Sequence, residues 1–462
     1  MNGIRALHPR TFCSLIFSIA ILIGNAQGAA AKIPKAVQDD AFFEFGNVNL
    51  DKINLGKFLM FDKILSGNQN IACATCHHPF AATGDGLSLP IGNGGSGFGV
   101  ARVPGPIDTG IRVRIPRNAP PLFNLGAKEF TFMFDDGRVH ADSTKPSGFD
   151  TPAGNQLPTG LDNPLAAQAM FPVQDVAEMV GLPGTNPVAD QASAGNLAGP
   201  GGAWDLLAAR LRAIPAYVQL FELAYSGEIT SGDQITYVHA ANAIAAFEAH
   251  VWRMTNSPFD RYLKHDRGAM TSDAVKGMRL FYGKANCASC HSGIFQTDHK
   301  FHSIGMPQIG PGKGDGADGH DDFGRERVTL DTADRYKFRT MPLRNIAITG
   351  PWGHDGAFNT LEGIVRHHLD SVKSMSTYDP TQLVLPSRPD LDAQDLIVFH
   401  DPTRSGPITA SSEIKAAVKG KVLTDKDIAN LLEFLQALTD PNSLDLRSNA
   451  PLSVPSGLPL SD

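Results

Sequence analysis

The sequence contains little cysteine and no excess of positive charge. Five of its 462 residues are cysteines, and 40 Lys and Arg residues stand against 47 Asp and Glu residues, for a formal net charge of −7. A chain without a basic stripe is not expected to bind nucleic acid, and no Lys/Arg-rich tract marks a lipid surface. The partners we expect are small molecules or other exported proteins.

Long apolar runs are absent after the first 31 residues. Arg5 and Arg10 precede an apolar stretch at 12–24, and small residues follow in "NAQGAAA", a pattern typical of an export signal. The stretch is shorter than the roughly 20 residues of a spanning helix, although an uncleaved anchor is the alternative. We predict a signal at 1–31, cleaved between Ala26 and Ala31, and a periplasmic mature chain without a membrane span.

The cysteines that remain form two copies of one pattern. Cys13 lies in the predicted signal, and the other four cysteines stand in "CATCH" and "CASCH", as Cys73, Cys76, Cys287 and Cys290, followed by His77 and His291. C-x-x-C-H is the attachment pattern of haem c, in which the thiols bond the vinyl groups and the imidazole becomes the proximal iron ligand. A thioredoxin-like pair would need a βαβ context, and a shared zinc site would leave both histidines unexplained. The sequence therefore predicts two covalently bound haems c.

The two motifs lie near the starts of the two halves of the chain. We predict an N-terminal haem domain at 32–256, a C-terminal haem domain at 257–445 and a tail at 446–462, with "TNSPFD" at the boundary. "LGKFLMFDKILSG" and "GMRLFYGKAN", ahead of the two motifs, form a weak repeat. Apolar residues recur at helical spacing at 240–251, and this predicted helix packs either between the domains or in ordinary core.

Helical patterns dominate the rest of the chain. "LTDKDIANLLEFLQAL" begins with a cap signal at Thr424 and places Ile428, Leu431, Leu432 and Leu435 on one face. No extended alternating pattern predicts a competing sheet, and Gly and Pro are abundant. We predict a mostly α fold of two cytochrome c-like haem domains with long irregular loops.

Several segments then resemble, in order, the bacterial di-haem cytochrome c peroxidases and the related MauG-type enzymes. These segments are "LGKFLMFDKILSG", "CATCHHP", "RNAPPLFN", "DDGR", "CASCHSGIFQTD", "DRYKFRT" and "LRNIAITGPWGHDGAFNTLE". The resemblance covers most of the chain, from Leu55 to Thr439. It implies hydrogen peroxide as substrate, and electrons from a small periplasmic redox protein.

The resemblance also implies an open N-terminal haem whose distal face is shaped by Gln168, Pro172 and Glu178 of "QAMFPVQDVAEM". Cleavage of an iron-bound peroxide requires a proton to move from the near oxygen to the departing one. A positioned carboxylate can carry out both transfers. Glu178 is therefore the predicted general acid/base.

The C-terminal haem of the family is six-coordinate and relays electrons. Its distal ligand, usually Met or Tyr, lies fourteen residues after the histidine of the "HDG" segment, which here leads from His354 to His368. In a helix begun at 359 or 360, residues 361, 365 and 368 share a face, which favours His368. His367 and Met341 are the alternatives. Imidazole favours oxidised iron more than thioether does, so a haem with two histidine ligands should share oxidising equivalents more readily. His368 therefore favours the MauG type.

The resemblance also implies an electron relay between the haems and a calcium site. The family has Trp before "DGR" between the haems, whereas this chain has Asp135, and Trp352 is a candidate substitute. The family also binds calcium, and the matching positions are the Asn118 side chain and the carbonyl groups of Thr349 and Pro351, which are oxygen ligands suited to a hard cation.

The sequence is also compatible with two other functions. One is a MauG-like enzyme that uses peroxide to oxidise side chains of a partner protein, and the other is a non-catalytic di-haem cytochrome that transfers electrons. The sequence is compatible with a homodimer.

Overall fold

Helices joined by long irregular segments make up most of the chain. The computed structural model describes residues 32–108, 110–414 and 423–461, so the predicted signal lies outside the described residues. The helices are α1 Leu50–Phe61, α2 Cys73–Cys76, α3 Pro164–Gln168, α4 Pro187–Ser193, α5 Ala203–Arg212, α6 Pro215–Ala224, α7 Tyr237–Val251, α8 Pro258–Leu263, α9 Ser272–Phe281, α10 Glu326–Thr329, α11 Leu361–Leu369, α12 Ser371–Ser376, α13 Pro389–Asp395, α14 Ile397–His400, α15 Pro402–Ser411 and α16 Asp425–Gln436. The predicted fold class, mostly α with irregular loops, is confirmed.

Two small antiparallel sheets interrupt the helices. The first has the order β1 Phe132–Met133, β2 Val139–Ala141 and β3 Phe149–Asp150, and the second pairs β4 Phe301–His302 with β5 Phe338–Arg339. Phe132 lies opposite His140, and Phe301 lies opposite Arg339. The turn from β1 to β2 carries residues 134–138, and the backbone N–H of Arg339 donates to the carbonyl oxygen of Asp135 over 2.7 Å. The two sheets therefore join the halves of the chain at this turn.

A close helix crossing lies ahead of the first CxxCH motif. Helix α1 begins after Asn49, whose side-chain oxygen accepts from the backbone N–H of Lys52 over 2.9 Å. Its residue Gly56 meets α7 so closely that a Cβ there would lie 1.9 Å from the carbonyl oxygen of Ala243 and 2.9 Å from Cβ of Phe247. Only glycine permits this approach of the two backbones.

The same crossing occurs ahead of the second motif. Helix α9 packs against α16, and a Cβ at Gly277 would lie 1.8 Å from the carbonyl oxygen of Asn430 and 2.9 Å from Cβ of Phe434. In both crossings the glycine faces two residues of the partner helix that are four positions apart. The weak sequence repeat thus corresponds to a repeated pair of helices.

Among the described residues, the buried apolar side chains form five clusters, of which the largest lies mainly in the first half and the next largest in the second. Two smaller clusters join the halves, one through Leu89 and the other through Leu87, Ile91 and Ile111. The largest cluster draws on residues 37–254 together with Phe295, Leu446 and Val454, and the next largest on residues 259–438. The predicted helix at 240–251 is confirmed as α7, but it packs against α1, α3 and α5 within the largest cluster. The core alternative is therefore correct for this helix, and the interface alternative is wrong.

The closing helix also forms as the sequence predicts. Thr424 caps α16, since its hydroxyl oxygen accepts from the backbone N–H of Asp427 over 3.1 Å. Of the predicted apolar face, Ile428, Leu431 and Leu435 are buried, whereas Leu432 is only half-buried. Within the described ranges, every helix is too short or too polar to cross a lipid bilayer.

Candidate haem sites and active site

The first CxxCH motif forms a short helical turn that ends at the histidine. Cys73–Cys76 make up α2, and His77 follows as its C-cap. Nδ1 of His77 lies 3.0 Å from the carbonyl oxygen of Thr83, an arrangement in which Nδ1–H donates and Nε2 stays available. Burial lowers the pKa of His77, which favours the neutral imidazole that binds a metal ion. The local fold therefore presents one imidazole nitrogen beside two thiols.

The second motif is built in the same way. Nδ1 of His291 lies 3.2 Å from the carbonyl oxygen of Gln296, and burial, followed by the nearby His368, lowers the pKa of His291 to about 4. The motif lines a cavity of about 280 Å³, which we call the second cavity because it lies at the second CxxCH motif. Most of the side chains around it are apolar, among them Phe281, Leu343, Leu361, Ile364, Val365, Leu431 and Leu435.

His368 faces His291 across the second cavity. The two imidazole ring centres are 6.0 Å apart, and Nδ1 of His368 lies 2.9 Å from the carbonyl oxygen of Ile364, which leaves its Nε2 available. An imidazole nitrogen lies about 2 Å from a bound metal ion, so two imidazoles on either side of one iron atom place their ring centres roughly 6 Å apart. The pair of rings fits a haem iron between them.

The two alternative ligands are placed differently. His367 is fully buried, and both of its ring nitrogens have partners: Nδ1 lies 3.1 Å from Oγ of Ser374, and Nε2 lies 2.8 Å from the carbonyl oxygen of Ile304. Met341 lines the second cavity, but its sulfur accepts from Nη2 of Arg339 over 3.4 Å. Helix α11, capped by Thr360, turns His368 rather than His367 towards the cavity, on the face of 361 and 365.

The three residues predicted to shape the open haem lie close together along the chain. Gln168 ends α3, Pro172 begins a 3₁₀ turn, and Glu178 lies in a π-helical turn, Val176–Val180. Such π turns are rare and often occur at functional sites. The carboxylate of Asp175 caps this turn, accepting from the backbone N–H groups of Ala177 over 2.9 Å and of Glu178 over 3.2 Å.

The half-buried carboxyl of Glu178 has an unusual electrostatic environment. Burial and then the charge of Asp175 raise its pKa to about 7, while Arg138 and Lys313 act in the opposite direction. Burial raises the pKa of Cys76, and the charge of Glu178 adds to that rise. The carboxyl therefore lies within electrostatic reach of the first haem-attachment motif and can exchange a proton near neutral pH.

Sequence reasoning missed three charged residues of this environment. Arg138 and Lys313 are distant from Glu178 in the chain, and no motif spacing relates them to it, whereas Asp175 lies three residues before Glu178 within "QAMFPVQDVAEM". The "DDGR" segment was noted for Asp135, yet it is the charge of its arginine, Arg138, that lowers the pKa of Glu178. Only the fold brings Arg138 and Lys313 near Glu178.

The region of the expected relay tryptophan holds a buried carboxyl. Asp135 lines the second cavity, and burial raises its pKa while the charges of Arg117 and Arg339 lower it. Trp352 also lines the second cavity, and its indole N–H donates to the carbonyl oxygen of Ile346 over 2.9 Å.

The predicted calcium positions lie together at the second cavity. Asn118, Thr349 and Pro351 all line it. The amide nitrogen of Asn118 donates to the carbonyl oxygen of Leu87 over 2.7 Å and to that of Ser88 over 3.3 Å. This orientation leaves the side-chain oxygen of Asn118 for another partner.

The donor groups fit two haems c. Each motif offers two thiols, and the four cysteines are free of disulfides. Each also offers one imidazole whose Nδ1 is held by a carbonyl oxygen. The fold and these sites define a di-haem c-type protein in which the imidazole of one site faces a second imidazole.

Comparison with known proteins gives the family. A family model described as di-haem cytochrome c peroxidase matches residues 50–268. Methylamine utilization protein MauG of Methylorubrum extorquens is 33% identical over 322 residues, which cover 69% of this chain and 69% of the relative. Cytochrome c551 peroxidase of Pseudomonas aeruginosa is 30% identical over 302 residues, 65% of this chain and 67% of the relative.

Solved structures share the fold. The diheme peroxidase BthA from Burkholderia thailandensis matches with a TM-score of 0.57 at 20% identity, over 92% of this chain and 93% of that chain. The present chain belongs to the di-haem cytochrome c peroxidase family, which carries two c-type haems. It is an oxidoreductase of the di-haem peroxidase type.

Proposed function

We propose that this protein reduces hydrogen peroxide at the first haem site, and that electrons arrive through the second. The proposal rests on the difference between the two sites: His291 faces a second imidazole, whereas the first motif has the carboxyl of Glu178 nearby. Two protons and two electrons convert one peroxide to two waters. Cys73, Cys76 and His77 would hold the first haem, whose iron would supply the site for peroxide and the redox chemistry.

In this proposal, Glu178 moves the proton that allows the O–O bond to break. A carboxyl with a pKa of about 7 is present in both protonation states near neutral pH. It can accept the proton of the near peroxide oxygen and return it to the departing oxygen. Gln168 and Pro172 would shape the space in which the peroxide lies.

The second haem would be held by Cys287, Cys290 and His291, with His368 as the sixth ligand. The 6.0 Å separation of the imidazole rings supports this assignment. Imidazole stabilises oxidised iron more than the thioether of Met does. The second haem would therefore share oxidising equivalents with the first more readily than a His/Met haem.

That property favours a second candidate function, the oxidation of side chains in a partner protein. The similarity to a MauG protein supports it as well. Stopped-flow spectra with peroxide alone separate the two candidates: an oxidised state of both haems that persists supports the MauG type. Rapid decay, together with turnover supported by a reduced small cytochrome c, supports the peroxidase with a small redox protein as donor.

We also propose the finer organisation of the chain. Haem domains at 32–256 and 257–445 would each hold most of one of the two largest apolar clusters, and the tail at 446–462 contributes Leu446 and Val454 to the first. One calcium ion would bind Asn118, Thr349 and Pro351. Export through a cleaved signal at 1–31 would place the protein in the periplasm. That compartment favours disulfides, and attachment to haem would protect the four thiols from forming them.

A further inference from the structure

The 310–321 loop, a glycine-rich segment of the second half, folds into a closed hairpin. The backbone N–H of Lys313 donates to the carbonyl oxygen of Asp321 over 2.9 Å, and Asp315 and Asp321 form an antiparallel bridge. Gly312 has a φ of +73°, and a Cβ there would lie 2.2 Å from the carbonyl oxygen of His320. Because any side chain at 312 would meet this oxygen, the hairpin depends on glycine, and it fixes the backbone at Lys313.

This loop touches the segment that supports Glu178. A Cβ at Gly310 would lie 2.3 Å from Cδ1 of Leu89, a fully buried residue of the first half. Four residues later, the backbone N–H of Asn93 donates to the carbonyl oxygen of Glu178 over 2.9 Å. A Cβ at Gly92 would lie 1.7 Å from the backbone of the same π-helical turn. The loop and the turn of Glu178 therefore pack on one short segment, 89–93.

The side chain of Lys313 is half-buried among charged groups from both halves. Burial lowers its pKa, and the charges of Arg138 and Arg117 lower it further. The charges of Asp175 and Glu178 act in the opposite direction. Conversely, Asp175, Arg138 and Lys313 are the charged groups that act on Glu178.

Lys313 differs from the two arginines in its partners. Arg117 is bound by Asp136 over 2.7 Å and by both oxygens of Asp322 over 2.7 and 2.8 Å, and Arg138 binds Asp136 over 3.0 Å. Among the described residues, the ammonium group of Lys313 has no hydrogen bond or ion pair of its own. Its charge is therefore the least compensated of the three.

We propose that Lys313 is a positioning residue for Glu178: its ammonium group, carried by the 310–321 loop, stabilises the carboxylate form of Glu178 beside the first haem site. The inference rests on the proposed role of Glu178 as general acid/base. It assigns to the second half of the chain a direct influence on proton transfer in the first half.

Cyanide affinity of the resting oxidised protein, measured against pH, tests this without turnover, and the pH profile of the peroxide reaction gives a second readout. Loss of one cation in a partly buried site should raise the midpoint of the Glu178-dependent transition by about one pH unit in Lys313→Met. Lys313→Arg keeps the charge and should stay close to wild type. Lys264→Met removes an exposed lysine of the same half and is the matched control.

The outcomes separate the inference from the function on which it rests. Glu178→Gln should abolish the transition, and a transition that persists in this variant overturns the proposed role of Glu178 and the inference with it. If Glu178→Gln abolishes the transition but Lys313→Met leaves its midpoint unchanged, the inference about Lys313 alone is wrong. A changed haem reduction potential with an unchanged midpoint in Lys313→Met would instead assign the ammonium group to a haem propionate.

Discussion

Replacement of Glu178 by Gln removes the proposed acid/base and keeps the size of the side chain. A carboxyl with a pKa of about 7 is mostly ionised above pH 7 and mostly protonated below it. Because the ionised form accepts the first proton, the wild-type rate constant for the peroxide reaction should rise with pH, about tenfold per unit below pH 7, and then level off. Glu178→Gln should lose this dependence.

The proposed role of Glu178 as general acid/base sets the expected loss of rate in Glu178→Gln. General acid/base catalysis contributes roughly 10²–10⁴-fold, equivalent to about 3–5 kcal/mol in the activation free energy. Stopped-flow absorbance of the oxidised protein mixed with peroxide, from pH 5 to pH 9, measures the rate constant directly. Glu433→Gln, at an exposed position of α16, is the matched control and should behave as wild type. A Glu178→Gln protein that reacts at the wild-type rate with the wild-type pH profile would refute the reasoning.

Three further predictions concern the second site and the fold. His368→Ala should convert one low-spin haem to high-spin, which the absorption spectrum shows. His367→Ala removes a ring whose nitrogens already have other partners and should keep the low-spin signal. The reverse result would assign His367 as the ligand. Gly277→Ala should lower the free energy of unfolding by about 2 kcal/mol or more, because the added Cβ meets the backbone of α16, and an unchanged thermal midpoint would contradict the close crossing. Removal of calcium by a chelator should lower the thermal midpoint of the wild type but not that of Asn118→Ala, and an equal fall in both would place any calcium elsewhere.

The sequence predicts those parts of the molecule that depend on local spacing. Two CxxCH motifs predict the attachment sites, and helical periodicity predicts α7 and α16. Each prediction needs only residues within one or two turns of a helix. The resemblance added His368, through the count of fourteen residues from His354, and Glu178, which alone would have been taken for an ordinary helix glutamate.

Long-range contacts were beyond the reach of sequence patterns. The position of α7 depends on whether its apolar face meets α1 or another domain, and periodicity is the same in both cases. Lys313 reaches the surroundings of Glu178 through the packing of its loop on Leu89, across more than a hundred residues of chain. The π-helical turn of Glu178 is likewise held by tertiary contacts with Gly92 and Asn93.

The central claim is that the two haem sites differ, one open to peroxide and one closed by His368. Electron paramagnetic resonance of the oxidised protein, with and without cyanide, tests it directly. The account predicts one high-spin and one low-spin haem in equal amounts, with cyanide converting only the high-spin signal. Two low-spin haems that bind neither cyanide nor peroxide would contradict it.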